Sequence, residues 1–287
     1  MKFRGHETFS IRRNWLSKGM TAVKKDPAAF VTRERNPMDT LGMGANMVKS
    51  LRYWLQAVGL TEEPRSGRRV QSLTELGALV WQHDRYLEER GTLFLLQYRL
   101  ATNEALATSW YFFFNLFRPQ EFDREDFVTA LSAWLALKGE QVAARSLYDD
   151  FACLVNTYLP RQGDEDPESN LGCPLAELGL LSAAGRARQT YRRTSPGWVP
   201  PWVLVAVLME QAGERREIPL QEILLGERGP GCVFALDAAA LLDGLHEAER
   251  TGCLRIVRTA GLDVVRLEAR PSFAECVAHY YEELENG

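Results

Sequence analysis

The sequence predicts a mainly α fold: a winged helix-turn-helix in its N-terminal domain, a helical middle region, and a C-terminal winged-helix-like module. Three observations lead there. In residues 37–58, PMDTLGMGANMVKSLRYWLQAV, two helical patterns flank a glycine-bearing turn. Residues 59–77, GLTEEPRSGRRVQSLTELG, read as strand, charged turn, strand and helix start. The same order returns from residue 218, where IPLQEILLG and ALDAAALLDGLHEAERTG precede the hairpin sequence CLRIVRTAGLDVVRLEA.

Composition sets the frame for these elements. With 46% hydrophobic and 25% charged residues, the 287-residue chain can bury a substantial core. No apolar run reaches the roughly 18 residues of a membrane span. Lys2 and Arg4 are followed by no apolar stretch, so no secretory signal is expected. The cysteines at 153, 173, 232, 253 and 276 are odd in number and lack CxxC spacing, which points to reduced thiols of a cytoplasmic protein rather than a disulfide framework or compact zinc site. Charge is divided unevenly: residues 1–80 hold 14 Lys and Arg against 7 Asp and Glu, while the remainder holds 20 against 31. A basic front on an acidic body suits a polyanion at one end only.

Taken in order, GHETFSIRRNWLSKG (residues 5–19) predicts a short helix capped by Thr8 or Ser10, running through Trp15 and stopping at Gly19. Pro27 and Pro37 bracket a polar connection. In the helix after Gly42 and Gly44, Met47, Val48, Leu51, Trp54, Leu55 and Val58 fall within a stripe of about 120°, the width of a core-facing surface. The opposite side presents Asn46, Lys49, Tyr53 and Gln56, with Arg52 on its flank. Pro64, Ser66 and Gly67 mark the following turn, and Arg65, Arg68 and Arg69 charge its tip.

Residues 92–160 predict buried helices. SWYFFFNLF (109–117) is read as a core helix, and DREDFVTALSAWLALK (123–138) as a capped helix burying Phe127, Leu131, Trp134 and Leu135. The acidic stretch 160–172 predicts a loop. GRARQTYRRTSPGW (185–198) is a second basic patch, and PPWVLVAVLMEQAG a buried helix. The expected divisions are residues 1–90, 91–160, 161–215 and 216–287. In the last of these the long helix offers Asp243, His246, Glu247 and Arg250, with Glu249 on its rim. That surface would repel phosphate, so this module is expected to meet protein.

Chemical candidates are few. His6–Glu7 is not HExxH, and no second His lies within 70 residues, so a locally built metal site is excluded. The favoured arrangement has Phe3 and Phe9 anchoring the segment while Glu7 pairs with Arg12 or Arg13. Arg4 and His6 otherwise belong to a nucleic-acid or partner surface. Cys153 follows Asp149 and Asp150, which would raise its pKa, and it is expected to be buried, as is Cys173. No GxxxxGK[ST], GxGxxG or GxSxG is present, so no catalytic residue, cofactor or metal is assigned. Double-stranded DNA is the expected partner: Asn46 and Lys49 in the major groove, Tyr53 and Gln56 as backbone or edge contacts, Arg52 beside them, and Arg65, Arg68 and Arg69 on flanking phosphates.

GHETF, WLSKG, LGMGANMVKSLRYWLQAVGL and CPLAELGL (173–180) together resemble the bacterial domain-of-unknown-function 4007 family over nearly the whole chain. Its members are accessory proteins encoded beside sulfurtransferase-like enzymes and phage-defence genes. The resemblance therefore implies a non-catalytic protein that recruits or positions a DNA-modification or defence enzyme. Ala45 stands where a basic residue is more usual in that family, which weakens a phosphate contact there. Two alternatives stay open: a protein-interaction scaffold of a defence complex without DNA contact, and a metal-dependent nuclease or sulfur-handling enzyme using His6 and Glu7. Homodimerisation is likewise open.

Overall fold

Capping residues divide the front of the chain into short helices. The computed structural model describes residues 1–32, 36–64, 69–159, 172–185, 189–259 and 262–286. The front unit comprises α1 (Arg13–Lys25), α2 (Pro37–Leu41), α3 (Ala45–Ala57), β1 (Thr61–Glu62), β2 (Ser72–Leu73) and α4 (Glu75–His83). Asn36 Oδ1 accepts from Met38 N and Pro37 opens α2, while Thr74 Oγ1 accepts from Gly77 N to start α4. β1 and β2 form an antiparallel hairpin with Thr61 opposite Leu73. Its tip, with Arg65 and Arg68, lies outside the described residues, as does most of the predicted loop 160–172.

Helix α1 corrects an expectation. It starts at Arg13 instead of being capped by Thr8 or Ser10, and it runs straight through Gly19. A Cβ at Gly19 would lie 2.6 Å from Leu55 Cδ1 and 3.0 Å from Leu51 Cδ1. The missing side chain thus lets α1 and α3 approach closely, a packing role that resembles a helix stop in sequence.

Next come α5 (Arg90–Thr102), α6 (Thr108–Asn115), β3 (Glu121–Phe122), α7 (Arg124–Leu137), α8 (Ala144–Tyr158), β4 (Leu181–Ala183) and β5 (Tyr191–Arg193). All eight residues of α6 are buried, as its aromatic run predicts. Asp123 accepts from Glu125 N and Asp126 N, and Asp126 Oδ2 accepts from Asp123 N, closing a capping box on α7. The strands form one antiparallel sheet in the order β3-β5-β4, with Phe122 opposite Tyr191 and Ser182 opposite Arg192.

The last unit contains α9 (Pro201–Ala212), β6 (Glu217–Pro219), α10 (Leu220–Leu225), α11 (Pro230–Val233), α12 (Ala238–Ala248), β7 (Leu254–Thr259), β8 (Leu262–Leu267) and α13 (Phe273–Asn286). Its sheet has the order β6-β8-β7. The two three-stranded sheets therefore share one connectivity: a strand, helices, then a hairpin whose second strand enters the middle. Among the described residues, the front unit repeats the helices and hairpin without the first strand. In the middle, this arrangement occupies residues where a helical region and a linker were expected.

One continuous core joins the units. Buried Gln97 bridges them directly, since its Oε1 accepts from Tyr158 Oη at 2.6 Å and its Nε2 donates to Val233 O at 2.8 Å. The last helix is fastened to α5 by Tyr280 Oη, which accepts from Gly91 N, and by the Tyr281–Thr92 hydroxyl pair. The chain is mainly helical, and no described helix is long and apolar enough to cross a membrane.

Candidate nucleic-acid interface

The segment before α1 determines which side of α3 stays free. Arg4, Glu7 and Thr8 all have positive φ, so residues 4–8 curl into a tight loop instead of extending. Gly5 is required in it, because a Cβ there would lie 2.5 Å from Tyr53 Cδ2. His6 is fully buried against Trp54, stacked at 6.1 Å, and Trp110, edge-on at 5.8 Å. Its Nδ1 accepts from Thr8 N at 3.0 Å, which assigns the proton to Nε2; that nitrogen donates to Asp150 Oδ1 at 2.9 Å. Asp150 also accepts from Arg4 N at 2.7 Å and, through Oδ2, from Ser109 Oγ at 2.6 Å.

These residue types superficially resemble a hydrolase triad, but the order is wrong. The carboxylate stands between His and Ser, and neither imidazole nitrogen is free to take a proton from a nucleophile. The arrangement fastens the N-terminal loop onto α6 and α8. His6 is accordingly not part of a solvent-facing DNA or partner surface, and Arg4 directs its guanidinium to Asp149 at 3.0 Å.

On α3, the predicted polar side separates into two halves. Asn46 and Lys49 are exposed in the first turns, with Lys49 Nζ 3.4 Å from Asn46 Oδ1. Tyr53 does not face solvent. It is 4% exposed, its hydroxyl donates to Leu106 O at 3.0 Å, and burial followed by the Asp150 charge holds its phenol well above the usual value. The N-terminal loop covers this side of the helix: Lys2 lies over the Tyr53 ring at 5.1 Å, its ammonium lowered by burial and then by the charge of Arg52.

Arg52 and Gln56 are half-buried and turned toward the hairpin. Arg52 meets Glu63 at 2.6 Å, while Gln56 Nε2 and Gln71 Nε2 donate to the same Glu63 Oε1 at 3.2 and 3.3 Å. Glu63 and Gln71, which the sequence did not single out, thus form a polar knot between α3 and the hairpin. Among the nominated hairpin arginines, Arg69 is described and exposed. Of the nominated DNA-binding residues that the structure describes, Asn46 and Lys49 on α3 and Arg69 on the hairpin are the exposed ones.

Elsewhere, all five cysteines are buried. Burial pushes the Cys173 thiol up to about 12. On α12, Asp243 and His246 are exposed as expected, while Glu247 accepts from Trp198 Nε1 at 2.8 Å. Among the described residues, no three His, Cys, Asp or Glu side chains converge in a manner able to hold a metal ion.

The family described as "Protein of unknown function (DUF4007)" matches residues 3–281. Two solved structures are similar over 99% of this chain at 26% identity. One is a crystal structure of magnesium-ion-bound SspB, with a TM-score of 0.83 over 94% of that chain. The other is a crystal structure of SspB, with a TM-score of 0.80 over 95% of its chain. No curated protein matches.

Proposed function

The chain belongs to the DUF4007 family, and from its own geometry we propose that it is a non-catalytic DNA-binding accessory protein whose front unit serves as a winged helix. One observation carries the proposal: the exposed residues of α3 are concentrated at its N-terminal end. Ala45, Asn46 and Lys49 are open to solvent, whereas Ser50, Leu51 and Tyr53 to Leu55 are interior. Recognition helices enter the major groove by that end, with short polar and cationic side chains reaching base edges and phosphates. Asn46 is the base-edge candidate, Lys49 reaches base or phosphate, and Arg69 grips a flanking phosphate. Arg65 and Arg68 add two cations to the same stretch of sequence.

The acidic remainder of the chain confines a duplex to this end. The outward side of α12 carries Asp243 and Glu247, which favours a protein partner for the last unit. A DNA-modification or phage-defence enzyme, sulfurtransferase-like or otherwise, fits that role. A scaffold without DNA contact is the second reading, favoured by the engagement of Arg52 and Gln56 with Glu63.

Fluorescence anisotropy with a labelled duplex at several salt concentrations separates the two. DNA binding should weaken with salt, and Lys49→Ala/Arg69→Ala should lower the slope of log K against log salt by about 1 per lost phosphate contact. Salt-indifferent affinity, or a double variant indistinguishable from the parent, would refute the DNA reading. Co-purification with a partner enzyme alongside absent DNA affinity would favour the scaffold.

A further inference from the structure

A cavity of about 470 Å3 lies between the middle and last units, bordered by the end of α6, β5, α10 and α11. This is ample for a small ligand. Two half-buried arginines elsewhere meet carboxylates, Arg52 with Glu63 and Arg99 with Glu210. Half-buried Arg193 and exposed Arg118 both line the cavity, and among the described residues neither is paired with one.

Arg193 donates from Nε to Pro119 O and from Nη2 to Phe113 O and Phe117 O, closing the C-terminal end of α6. Arg118 donates to Leu225 O at 3.0 Å and to Cys232 Sγ at 3.1 Å. These acceptors satisfy individual N–H groups but supply no full negative charge. Burial, and then the charge of neighbouring Arg118, lower the pKa of the Arg193 guanidinium.

A second observation lies beside the same space. Ser195 lines the cavity, and its Oγ is buried without a hydrogen-bond partner among the described residues. Phe114, Phe117 and Leu236 provide an apolar floor. Asp237, at the rim, carries the local negative charge, and its Oδ1 caps α12 by accepting from Ala240 N at 2.8 Å.

We propose that this cavity binds a small organic anion, its acidic head held between Arg118, Arg193 and the Ser195 hydroxyl and its apolar body on the phenylalanine floor. Paired guanidinium groups recognise carboxylate and phosphate oxygens alike. Bound there, the ligand would bridge the middle and last units. The site is independent of α3 and does not rest on DNA binding.

Calorimetric titration of the full chain with phenyl phosphate, benzoate, inorganic phosphate and phenol tests it. Phenyl phosphate or benzoate should saturate below about 1 mM, with phosphate and phenol weaker by roughly tenfold or more. Arg118→Gln, which changes an exposed side chain, should weaken the binding ligand about tenfold, and Ser195→Ala should weaken it severalfold. The bound ligand should also slow iodoacetamide labelling of Cys232, read by mass spectrometry. The proposal fails if neither organic anion saturates, if inorganic phosphate or phenol binds equally well, or if saturation leaves Cys232 labelling unchanged. Undiminished binding in Arg118→Gln, with that variant's unfolding midpoint intact, also overturns it.

Discussion

Replacing Asp150 with Ala tests the physical role assigned to His6. The carboxylate is 2% exposed and accepts three hydrogen bonds, from Arg4 N, His6 Nε2 and Ser109 Oγ. Its removal strands three donors in a space walled by Trp54 and Trp110. Each stranded group costs about 1–3 kcal/mol, reduced where the small cavity admits water, so a loss of about 4 kcal/mol is expected from a total of about 5–15. Asp150→Asn retains an acceptor for His6 and Arg4 and gives Ser109 a donor, so its cost should be nearer about 1 kcal/mol. Urea unfolding followed by circular dichroism measures both, and amide exchange should show Thr8 N–H losing protection as its acceptor His6 is released. A loss below about 1 kcal/mol in Asp150→Ala, or equal losses in the two variants, would refute the assignment of Asp150 as the anchor of the N-terminal loop.

Two further outcomes follow from the same geometry. Arg52→Ala should lower the urea midpoint modestly, by about 0.5–1 kcal/mol for a partly exposed pair, and leave the salt slope of duplex binding unchanged; a reduced slope at parental stability would return Arg52 to the interface. Burial raises the Cys173 and Cys276 thiols from 9.0 to about 12, and Tyr280 from 10.0 to about 12. Between pH 9 and 12 the unfolded chain then binds fewer protons than the folded one, so their contribution is complete below about pH 9 and declines as pH rises. Urea midpoints measured from pH 8 to 11 should fall; a flat profile would contradict this.

The stripe from Met47 to Val58 was legible because helical periodicity survives any tertiary arrangement, and the aromatic run of α6 could hardly lie anywhere but in the core. Tyr53 was misplaced for the complementary reason. Periodicity finds one buried side of a helix, but Tyr53 is covered by residues 1–9 on the other, through a loop whose anchor Asp150 is 144 residues from His6. No local signal carries such a pairing. The middle sheet was missed because β3 to β5 are two or three residues long, too short for alternation to register. Glu63 offered no sequence signal beyond an acid near arginines, and its three donors converge only after the hairpin folds back on α3.

In the recurring order of helices and hairpin, α3, α8 and α12 are the last described α-helices before each hairpin, and the three meet different surroundings. In α8, Asp150 turns inward and is gripped by the N-terminal loop, so that helix is committed to holding the units together. In α12, Asp243 and Glu247 stand on the outward side, and a phosphate would meet repulsion before contact. In α3, the loop and Glu63 close the C-terminal half, while the first turns show Asn46 and Lys49 with no acidic residue in the helix. A common topology is thus compatible with three roles, because topology fixes where a helix stands but only the charges left at its uncovered positions select what can approach. That is why the salt titration of Lys49 and Arg69 discriminates between the readings, whereas the presence of a helix-hairpin arrangement by itself does not.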